Sequence, residues 1–530
     1  MTWTGPTDPR AERHAPPAPV RPRTPADLTG SAEIADQREP RRVAVIGGGI
    51  AGLSAATALA ERGVEVCLLE KEQYLGGRVG AWPHRLPDGT PATMSRGFHA
   101  FFRQYYNLRS LLTRTDAALD RLTPVEDYPL IDTAGRTDTF RGLPRRPPWN
   151  AVAFALRSPT FTVKDLLRLD PRAALPLATV RVPEVYHQLD TTTAAELLDA
   201  VNFPAAARHL AFEVFSRSFF AASEDLSAAE LAVMFHLYFL GSSEGLLFDV
   251  PTDTFDAALW EPLRHHLGRL GAEVRTGTPV SEVEPGGDRR YRVHLDGGAV
   301  DVDAVVIAAE VQGLQQLVRS SPRLGTTEWR DQVAALRTAP PFLAHRLWLD
   351  QPVAPERPAF LGTGGWGRLD NISVLNRYEN QARQWAATSG GSVVELHAYA
   401  ATTGTAAGSS AEVPEIAREL EDQLHAIYPE TKAAGVVDAV SLWRDDCPLF
   451  APGSFADRPT VRTPDPGIVL AGDTIRIDLP VALMERAATT GLHAANLLLA
   501  GFGRTGHTLM TVPNRGRLRG LSRFKSEEES

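Results

Sequence analysis

Short apolar runs near the start of the chain predict a strand, a helix and a second strand. Val43 to Ile46 is an apolar run of strand length, and Val64 to Leu69 is another. Between them, small residues from Leu53 to Arg62 form a helical pattern that stops at Gly63. Glycine is common directly after a helix because it adopts left-handed backbone angles at little cost. The order strand, helix, strand predicts a βαβ unit.

Two later apolar runs predict further buried strands. Ala304 to Ala309 ends in small residues, and Gly467 to Leu470 leads into Gly472 and Asp473. A helical pattern rich in small residues then runs from Val481 to Leu499. Continuous apolar runs are typical of the buried parallel strands of α/β folds. The sequence therefore predicts an α/β fold.

The two long stretches between these strands have different patterns. From Tyr128 to about Pro251 the pattern is mostly helical, and Leu231 to Leu240 is strongly apolar. We interpret this stretch either as a packed helical core or as the lining of a pocket for an apolar substrate. The second stretch is strand-like at Phe342 to Leu349, Ile372 to Leu375 and Ser392 to Tyr399, and helical at Ala411 to Ile427. These strands predict a sheet that covers the active site.

Length, charge and cysteine content exclude several classes of protein. The chain has 530 residues, of which 43% are hydrophobic, so at least two domains are expected. A net charge of −9 argues against a nucleic-acid partner. Two cysteines are too few for a disulfide framework, a zinc cluster or an iron–sulfur site, and we expect no bound metal and a cytoplasmic location. No apolar run approaches the roughly 18 residues that span a bilayer, and the N-terminus lacks an apolar signal core.

The glycines after the first strand have the spacing of a dinucleotide-binding turn. Gly47 permits the tight turn, Gly49 lets the backbone approach a pyrophosphate, and Gly52 lets the helix lie close to the sheet. The helix N-terminus then presents free N–H groups to the phosphates. Glu70 follows the second strand, where a carboxylate accepts hydrogen bonds from both ribose hydroxyls and disfavours the 2′-phosphate of NADP.

Three further motifs resemble known flavoproteins. Leu75-Gly76-Gly77-Arg78, shortly after Glu70, resembles the superfamily of amine oxidases, phytoene desaturases and Rab GDP-dissociation inhibitors. The stretch from Arg96 to Arg109, RGFHAFFRQYYNLR, is similar to the carotenoid-ring-modifying desaturases of the isorenieratene synthase type, which are β-carotene desaturase/methyltransferases. Gly472-Asp473 and the helix that follows resemble the closing FAD motif of the superfamily.

The resemblance implies FAD as the cofactor and assigns residues to it. Asp473 would bind a ribityl hydroxyl or a phosphate-linked water, Val280 would contact the adenine, and the helix start near Val481 would stabilise the reduced flavin. The implied cofactor-binding residues are Gly47, Gly49, Ile50, Ala51, Gly52, Glu70, Lys71, Gly77, Arg78, Gly97, Phe98, Val280, Gly472, Asp473, Val481 and Ala482.

The activity implied by the resemblance is aromatisation of the β-ionone rings of β-carotene. This reaction needs two two-electron oxidations and a 1,2-methyl shift, and therefore a flavin, a dry aromatic pocket and a weak base. The candidate bases are His99, Asp478 and Glu485; a cap and a helix-surface ion pair are equally open interpretations of Asp478 and Glu485.

Other functions of the same fold stay open at this point. They are a linear carotene desaturase of the phytoene or ζ-carotene type, a carotene isomerase, and a non-catalytic lipid carrier resembling the Rab GDP-dissociation inhibitors. The final electron acceptor, such as a quinone or oxygen, is also open.

A carotenoid substrate implies contact with a membrane surface. A bilayer is as apolar as a protein tunnel, so the hydrophobic effect does not draw a carotene out of lipid. We therefore expect a peripheral, monotopic protein. The predicted docking segment is Arg145 to Arg168, where Trp149, Phe154, Leu156 and Phe161 lie among Arg145, Arg146, Arg157, Lys164 and Arg168.

These interpretations divide the chain into two discontinuous domains and two tails. The fold expected from the resemblance is a Rossmann-type FAD-binding domain with a discontinuous α+β substrate domain. The FAD-binding domain is assigned to residues 41–115, 255–310 and 440–500, and the substrate and membrane-facing domain to 116–254 and 311–439. Residues 1–40 are expected to be a disordered tail, and residues 501–530 a basic polar tail.

Overall fold

The helices and strands are those of a computed structural model that describes residues 2–20, 40–160, 163–204, 220–401 and 410–516. The strands are β1 (Glu12–His14), β2 (Arg42–Ile46), β3 (Glu65–Leu69), β4 (Ala81–Arg85), β5 (Pro91–Ser95), β6 (Phe101–Phe102), β7 (Leu122–Pro124), β8 (Leu130–Asp132), β9 (Thr137–Asp138), β10 (Phe248–Pro251), β11 (Glu273–Arg275), β12 (Val280–Pro285), β13 (Tyr291–Leu295), β14 (Gly298–Val302), β15 (Ala304–Ile307), β16 (Phe342–Leu349), β17 (Phe360–Gly364), β18 (Asn371–Val374), β19 (Ser392–Ala398), β20 (Val436–Arg444), β21 (Ile468–Leu470) and β22 (Leu509–Thr511). The helices are α1 (Ile50–Ala60), α2 (Tyr106–Leu112), α3 (Trp149–Arg157), α4 (Val163–Arg168), α5 (Leu175–Ala178), α6 (Glu184–Leu189), α7 (Ala194–Ala200), α8 (Ala228–Phe235), α9 (Glu261–Arg269), α10 (Val311–Ser320), α11 (Thr327–Ala334), α12 (Asn380–Ser389), α13 (Val413–Ile427) and α14 (Leu483–Gly501).

A five-stranded parallel sheet lies at the centre of the first domain. Its strand order is β11-β3-β2-β15-β21, so β2 occupies the middle and the turn after it lies where the order reverses. Ligands of doubly wound α/β folds bind at this position. α1 is buried over its whole length and packs against α14. A Cβ on Gly491 of α14 would lie 2.2 Å from the Ala51 carbonyl oxygen, so the small residue allows the two helices to approach closely.

Residues 311–334 pack on the first domain, contrary to their assignment to the substrate domain. α10 lies against the antiparallel meander β12-β13-β14. Leu314 and Leu317 of α10, with Trp329 and Val333 of α11, join the same buried cluster as the strands of the parallel sheet. The boundary assigned at 310/311 is therefore wrong, because the amphipathic face of α10 is buried against the first domain.

A seven-stranded sheet forms the second domain, in the order β20-β16-β19-β18-β17-β8-β9. The strands predicted at 342–349, 372–375 and 392–399 correspond to β16, β18 and β19. β20 runs across the boundary assigned at 439/440 and pairs with β16, so its residues up to Arg444 belong to this sheet. Alternate residues of β19, Val394, Leu396 and Ala398, belong to the cluster that contains Ile416, Leu420 and Leu424 of α13.

The predicted tails are partly wrong at both ends of the chain. β1 pairs antiparallel with β22, from Glu12 opposite Thr511 to His14 opposite Leu509. Each strand supplies the backbone hydrogen-bond partners that the other lacks, so the two segments become ordered together. Residues 21–39 and 517–530 lie outside the described part of the chain. Within the described part, none of the helices is long and apolar enough to cross a membrane.

Candidate active site

A cavity of about 440 Å³ runs from the carboxyl end of the parallel sheet to the seven-stranded sheet. The glycine-rich turn, the Gly-Gly-Arg segment and the Gly-Asp motif line its first part. Aromatic side chains line the other part: Phe98, Phe102, Tyr105, Tyr128, Phe220, Phe248, Phe342 and Phe360. Because the two parts form one cavity, a group bound along the glycines lies beside any molecule held by the aromatic rings.

The turn between β2 and α1 presents bare backbone to the cavity. Gly49 is the N-cap residue of α1 and has no side chain to cap that helix terminus. A Cβ on Gly49 would meet only the Gly77 Cα at 3.8 Å, whereas a Cβ on Gly52 would lie 1.9 Å from the Gly47 carbonyl oxygen. The protein therefore has room for a Cβ at Gly49, and the glycine there leaves space for a ligand in the cavity. Gly52 is required by the fold, because a side chain there would clash with the turn.

Glu70 is held by backbone N–H groups at the end of β3. Its carboxylate accepts hydrogen bonds from Gly48 N at 2.5 Å and Glu72 N at 2.8 Å. Burial raises the pKa of Glu70 above its usual value, and these two donors oppose that shift. A carboxylate has about four lone-pair sites, so Glu70 still has sites to accept from ribose hydroxyls. Lys71 also lines the cavity and forms an ion pair with Glu310 at 3.4 Å.

Arg78 and Asp473 bring the Gly-Gly-Arg and Gly-Asp motifs together. Arg78 Nη2 donates to Asp473 Oδ1 at 2.5 Å, and both residues line the cavity. The neighbouring carboxylate raises the pKa of the Arg78 guanidinium, which opposes the effect of burial. The start of α14 lies on the same side, where Leu483 and Met484 line the cavity and no side chain caps the helix.

Twelve of the sixteen residues assigned to the cofactor line the cavity: Gly47, Gly49, Ile50, Ala51, Glu70, Lys71, Gly77, Arg78, Phe98, Val280, Gly472 and Asp473. Gly52, Gly97, Val481 and Ala482 do not. Gly52 packs against Gly47, and Val481 and Ala482 directly precede the residues of α14 that line the cavity. Gly97, at φ +103°, lies against His397, where a Cβ would come within 2.4 Å of the imidazole Nε2.

This set of residues fits FAD. Two uncapped helix N-termini, two glycine-rich turns and an arginine suit a pyrophosphate, and Glu70 suits a ribose. The residues that would hold the pyrophosphate lie around Gly49 and Gly77, and those for the flavin ring lie between Arg78 and the start of α14. When bound there, the flavin supplies a two-electron oxidant that accepts hydride.

His99 lies in the cavity at the boundary between the cofactor part and the aromatic part. Its Nδ1 donates to the Gly97 carbonyl oxygen at 2.9 Å, which leaves Nε2 as the basic nitrogen. Burial lowers the pKa of His99 to about 4, so the imidazole is neutral at pH 7. The prediction that His99 takes part in the chemistry is therefore compatible with its position.

Asp478 and Glu485, the other two candidate bases, do not line the cavity. The Asp478 side chain is 56% exposed and lies 4.0 Å from Arg476. Glu485 is buried, and its carboxylate accepts from the backbone N–H groups of Asn107 at 2.8 Å and Leu108 at 3.0 Å. Burial raises the pKa of Glu485 to about 8. Glu485 therefore caps the N-terminus of α2, and the interpretation of either residue as the base is wrong for geometric reasons.

A polar group at the aromatic end of the cavity was not among the residues predicted from the sequence. Asn371, His397 and Tyr399 line the cavity there and are joined by hydrogen bonds. Glu395 binds the far side of His397. The signal was the alternation Glu395-Leu396-His397-Ala398-Tyr399, because residues two apart in a strand lie on one face of the sheet. In the described part of the chain, no group of three or more His, Cys, Asp or Glu side chains could hold a metal ion.

The chain matches a family model and several characterised relatives. The model described as flavin containing amine oxidoreductase matches residues 50–499. A carotenoid phi-ring synthase from Streptomyces griseus is 56% identical over 482 residues, which cover 91% of this chain and 92% of the relative. A carotenoid phi-ring synthase from Chlorobaculum tepidum is 27% identical and covers 90% of this chain and 91% of its own. A zeta-carotene desaturase from Synechocystis sp. is 25% identical over 87% of this chain and 98% of its own.

Solved structures share the fold at low sequence identity. Cyclohexylamine oxidase from Brevibacterium oxydans superposes with a TM-score of 0.60 at 16% identity, over 88% of this chain and 99% of that one. A wild-type putrescine oxidase gives a TM-score of 0.59 at 17% identity, over 87% of this chain and 99% of that one. The chain therefore belongs to the flavin-containing amine oxidoreductase family, in its carotenoid desaturase branch, and is an FAD-dependent oxidoreductase with the α/β fold of that family.

Proposed function

We propose that this enzyme aromatises the β-ionone end rings of β-carotene by desaturation with a 1,2-methyl shift, as expected for an isorenieratene synthase-like enzyme. The observation that carries the proposal is the joining of an FAD site and an aromatic chamber in one cavity. The 56% identity to a carotenoid phi-ring synthase supports a reaction at a carotenoid end ring.

The aromatic chamber suits a hydrocarbon ring that becomes cationic. Phe98 lies between Phe360, at 4.5 Å between ring centroids, and Phe248, at 5.9 Å. Such rings exclude water, and their faces attract a positive charge. A first oxidation removes a hydride and a proton and gives a ring diene. In the second oxidation, loss of hydride from a ring carbon leaves an allylic cation, a methyl group migrates with its electron pair, and proton loss gives the arene. This chain would bind the ring, keep it dry and accept the proton.

A linear carotene desaturase is the second candidate, because zeta-carotene desaturases are relatives at 25% identity. A carotene isomerase would use the same FAD site and aromatic chamber, and it needs no net electron acceptor. The lipid-carrier alternative is not retained, because the chain belongs to a family of FAD-dependent oxidoreductases and has a cavity that fits FAD.

Expression in a β-carotene-producing bacterium, followed by pigment analysis, tests the reaction. Aromatic carotenoids with unchanged carbon number are the expected product. Longer conjugation without aromatic rings, obtained from ζ-carotene, would favour the linear desaturase. Geometric isomers alone would favour the isomerase.

We further propose that the enzyme is a cytoplasmic protein that docks on the membrane surface through α3. Trp149, Val152 and Leu156 recur at helical spacing and are 64%, 42% and 68% exposed. Leu167 of α4 is 81% exposed. Exposed basic residues surround them: Arg145, Arg146, Arg157, Lys164 and Arg168. An exposed apolar face with a basic rim is typical of helices that lie in the interface of an anionic bilayer.

The predicted docking residues need one correction. Phe154 is only 7% exposed, because its ring stacks on Phe140 at 4.8 Å between centroids. Phe140 in turn stacks on Tyr128 at 4.2 Å, and Tyr128 lines the cavity. Phe154 therefore belongs to a stack of rings between α3 and the chamber, and Phe161 lies outside the described residues.

A further inference from the structure

Glu395 and His397 of β19, with Tyr399 directly after the strand, form a hydrogen-bonded line. His397 Nε2 lies 3.0 Å from Glu395 Oε1, and His397 Nδ1 lies 2.7 Å from the Tyr399 hydroxyl. Glu395 and His397 are buried, whereas Tyr399 is partly exposed. The line therefore runs from inside the protein to the surface of the aromatic chamber.

The direction of these hydrogen bonds follows from Glu395. An ionised carboxylate only accepts, so the proton of the neutral His397 ring lies on Nε2, which donates to Glu395, and Nδ1 is an acceptor. The one lone pair of Nδ1 accepts from the Tyr399 hydroxyl at 2.7 Å. Asn371 Nδ2, 3.1 Å from the Tyr399 oxygen, donates to that oxygen.

Glu395 is a fixed anion at the buried end. Arg346 donates to Glu395 Oε2 through Nε at 2.8 Å and Nη2 at 2.6 Å, which leaves Oε1 for His397. Arg346 is itself held by the Thr93 carbonyl oxygen and the Ser95 hydroxyl. Burial alone would raise the pKa of Glu395, but Arg346 and the hydrogen bond from His397 outweigh it and lower that pKa to about 2, so the carboxylate is ionised throughout the physiological range.

The line lies close to the predicted flavin edge. Gly97 packs against His397, and His99, two residues further on, lines the same cavity. The Phe220 ring meets Tyr399 edge-on at 4.9 Å between centroids and packs against Phe342. The hydroxyl of Tyr399 therefore lies in the aromatic chamber with its acceptor histidine already in place.

We propose that Tyr399, His397 and Glu395 form the proton relay that deprotonates the substrate ring; this rests on the function proposed above. In each oxidation one C–H bond gives its hydrogen and electron pair to FAD as hydride, which reduces the flavin and oxidises the ring. A second C–H bond breaks and its electron pair stays in the ring as the new double bond. That proton bonds to the Tyr399 oxygen, and the phenolic proton moves to His397 Nδ1.

The negative charge of Glu395 balances the positive charge that forms on His397. The imidazolium that forms on His397 lies between the Tyr399 oxygen and the Glu395 carboxylate, which stabilises it as the buried carboxylate of a catalytic triad stabilises its histidine. The proton then leaves to solvent, and an acceptor of the quinone or dioxygen class reoxidises the flavin. His99, with a pKa of about 4, holds a proton only briefly, whereas the relay has a fixed anion to retain it.

The test compares Tyr399→Phe and His397→Gln with Tyr428→Phe. Tyr428 is a matched control because it is a buried tyrosine that does not line the cavity, and its hydroxyl has no hydrogen-bond partner among the described residues. General acid–base catalysis contributes about 10²–10⁴-fold. We expect each relay variant to retain parental FAD content and melting temperature and to lose aromatised product about 100-fold or more, and Tyr428→Phe to keep the parental activity.

The double variant separates a relay from packing. Groups that act as a unit are non-additive, so Tyr399→Phe with His397→Gln should be no slower than the slower single variant. The relay would be overturned if the product losses of the two single variants multiplied in the double variant. It would also be overturned if product loss followed a loss of FAD content and melting temperature. Parental product from Tyr399→Phe would overturn it as well. If the parent enzyme makes no aromatic product from β-carotene, the proposed function fails instead; a parent that aromatises while Tyr399→Phe does so equally well refutes the relay alone.

Discussion

Arg78 Nη2 lies 2.5 Å from Asp473 Oδ1, so two motifs separated by 395 positions meet across the cofactor part of the cavity. Neither motif completes the site alone, because Arg78 follows β3 and Asp473 follows β21. The ion pair joins the Gly-Gly-Arg segment to the Gly-Asp motif. The FAD site is therefore formed by tertiary structure as well as by the local βαβ unit.

Removing the Arg78–Asp473 contact should weaken FAD binding. A hydrogen bond to a charged group contributes about 1.5–3 kcal/mol, which corresponds to roughly 10–100-fold in the FAD dissociation constant. We expect this loss in Asp473→Asn and Arg78→Met, measured by flavin fluorescence on dilution. Arg264→Met, which breaks a surface pair with Glu261, is the control and should bind FAD as the parent does. Parental affinity in both site variants would place the pyrophosphate elsewhere.

Gly49→Val should fold and yet purify with little flavin. The added Cβ meets the Gly77 Cα at 3.8 Å, an ordinary van der Waals contact, and Gly49 lines the cavity, so the isopropyl group takes space that the pyrophosphate needs. Glu70→Ala should also lose flavin, because the ribose acceptor is removed. Gly298→Val is a control on a strand with no atom within 4 Å of the new Cβ. Absorbance at the flavin band per mole of protein gives the result, and normal flavin in Gly49→Val would contradict the assignment.

His99→Ala should keep FAD and lose most of the aromatised product. The imidazole lies at the boundary between flavin and substrate, where it orients the ring or passes a proton from it. Pigment analysis measures the product, and His265→Ala, at an exposed position, is the control. Product at the parental level would limit His99 to packing.

Replacing the exposed face of α3 should release the enzyme from membranes. Trp149, Val152 and Leu156, changed together to Ser, remove the apolar contact while Phe154 stays in its ring stack. We expect loss of cosedimentation with anionic liposomes and lower turnover, with FAD retained. A matched triple variant changes Leu270, Val436 and Val437, which are 37%, 50% and 38% exposed outside the basic cluster, to Ser. Equal sedimentation of the α3 variant and the parent would mean that another surface docks.

Glu395 should stabilise the fold above pH 4.5 and lose that effect in acid. Its pKa is lowered from 4.5 to about 2, so its contribution is fully present above 4.5 and disappears as the pH falls through 2. The shift corresponds to about 3 kcal/mol. Urea unfolding should show this difference between the parent and Glu395→Gln at pH 7, and a smaller difference at pH 3. Glu261→Gln, at the surface, should show little at either pH, and a constant difference for Glu395→Gln would contradict the ionised pair.

The cofactor site could be predicted from the sequence because its signals are local. Gly47, Gly49 and Glu70 belong to one βαβ unit, where the spacing along the chain fixes the position in space. Glu485 was misassigned because its partners, Asn107 and Leu108, lie on another helix, and only the tertiary fold shows that it caps them.

At the substrate end of the cavity, only the secondary structure could be predicted from the sequence. The strand at 392–399 was predicted, but the choice of face depends on what packs against each side. α13 covers Leu396, which leaves His397 to the cavity. For the same reason the sequence did not distinguish Phe154 from Trp149, although Phe154 is buried and Trp149 is exposed on α3.

The strand order β11-β3-β2-β15-β21 has a consequence for synthesis on the ribosome. β2 and β3 emerge early, but β21 ends at Leu470, so the parallel sheet is completed only when most of the chain has been translated. At about 5–20 residues per second, this delay lasts tens of seconds. The nascent chain therefore spends that time with an open sheet edge and no complete FAD site. Chaperones should therefore affect the yield of this protein more than its final stability.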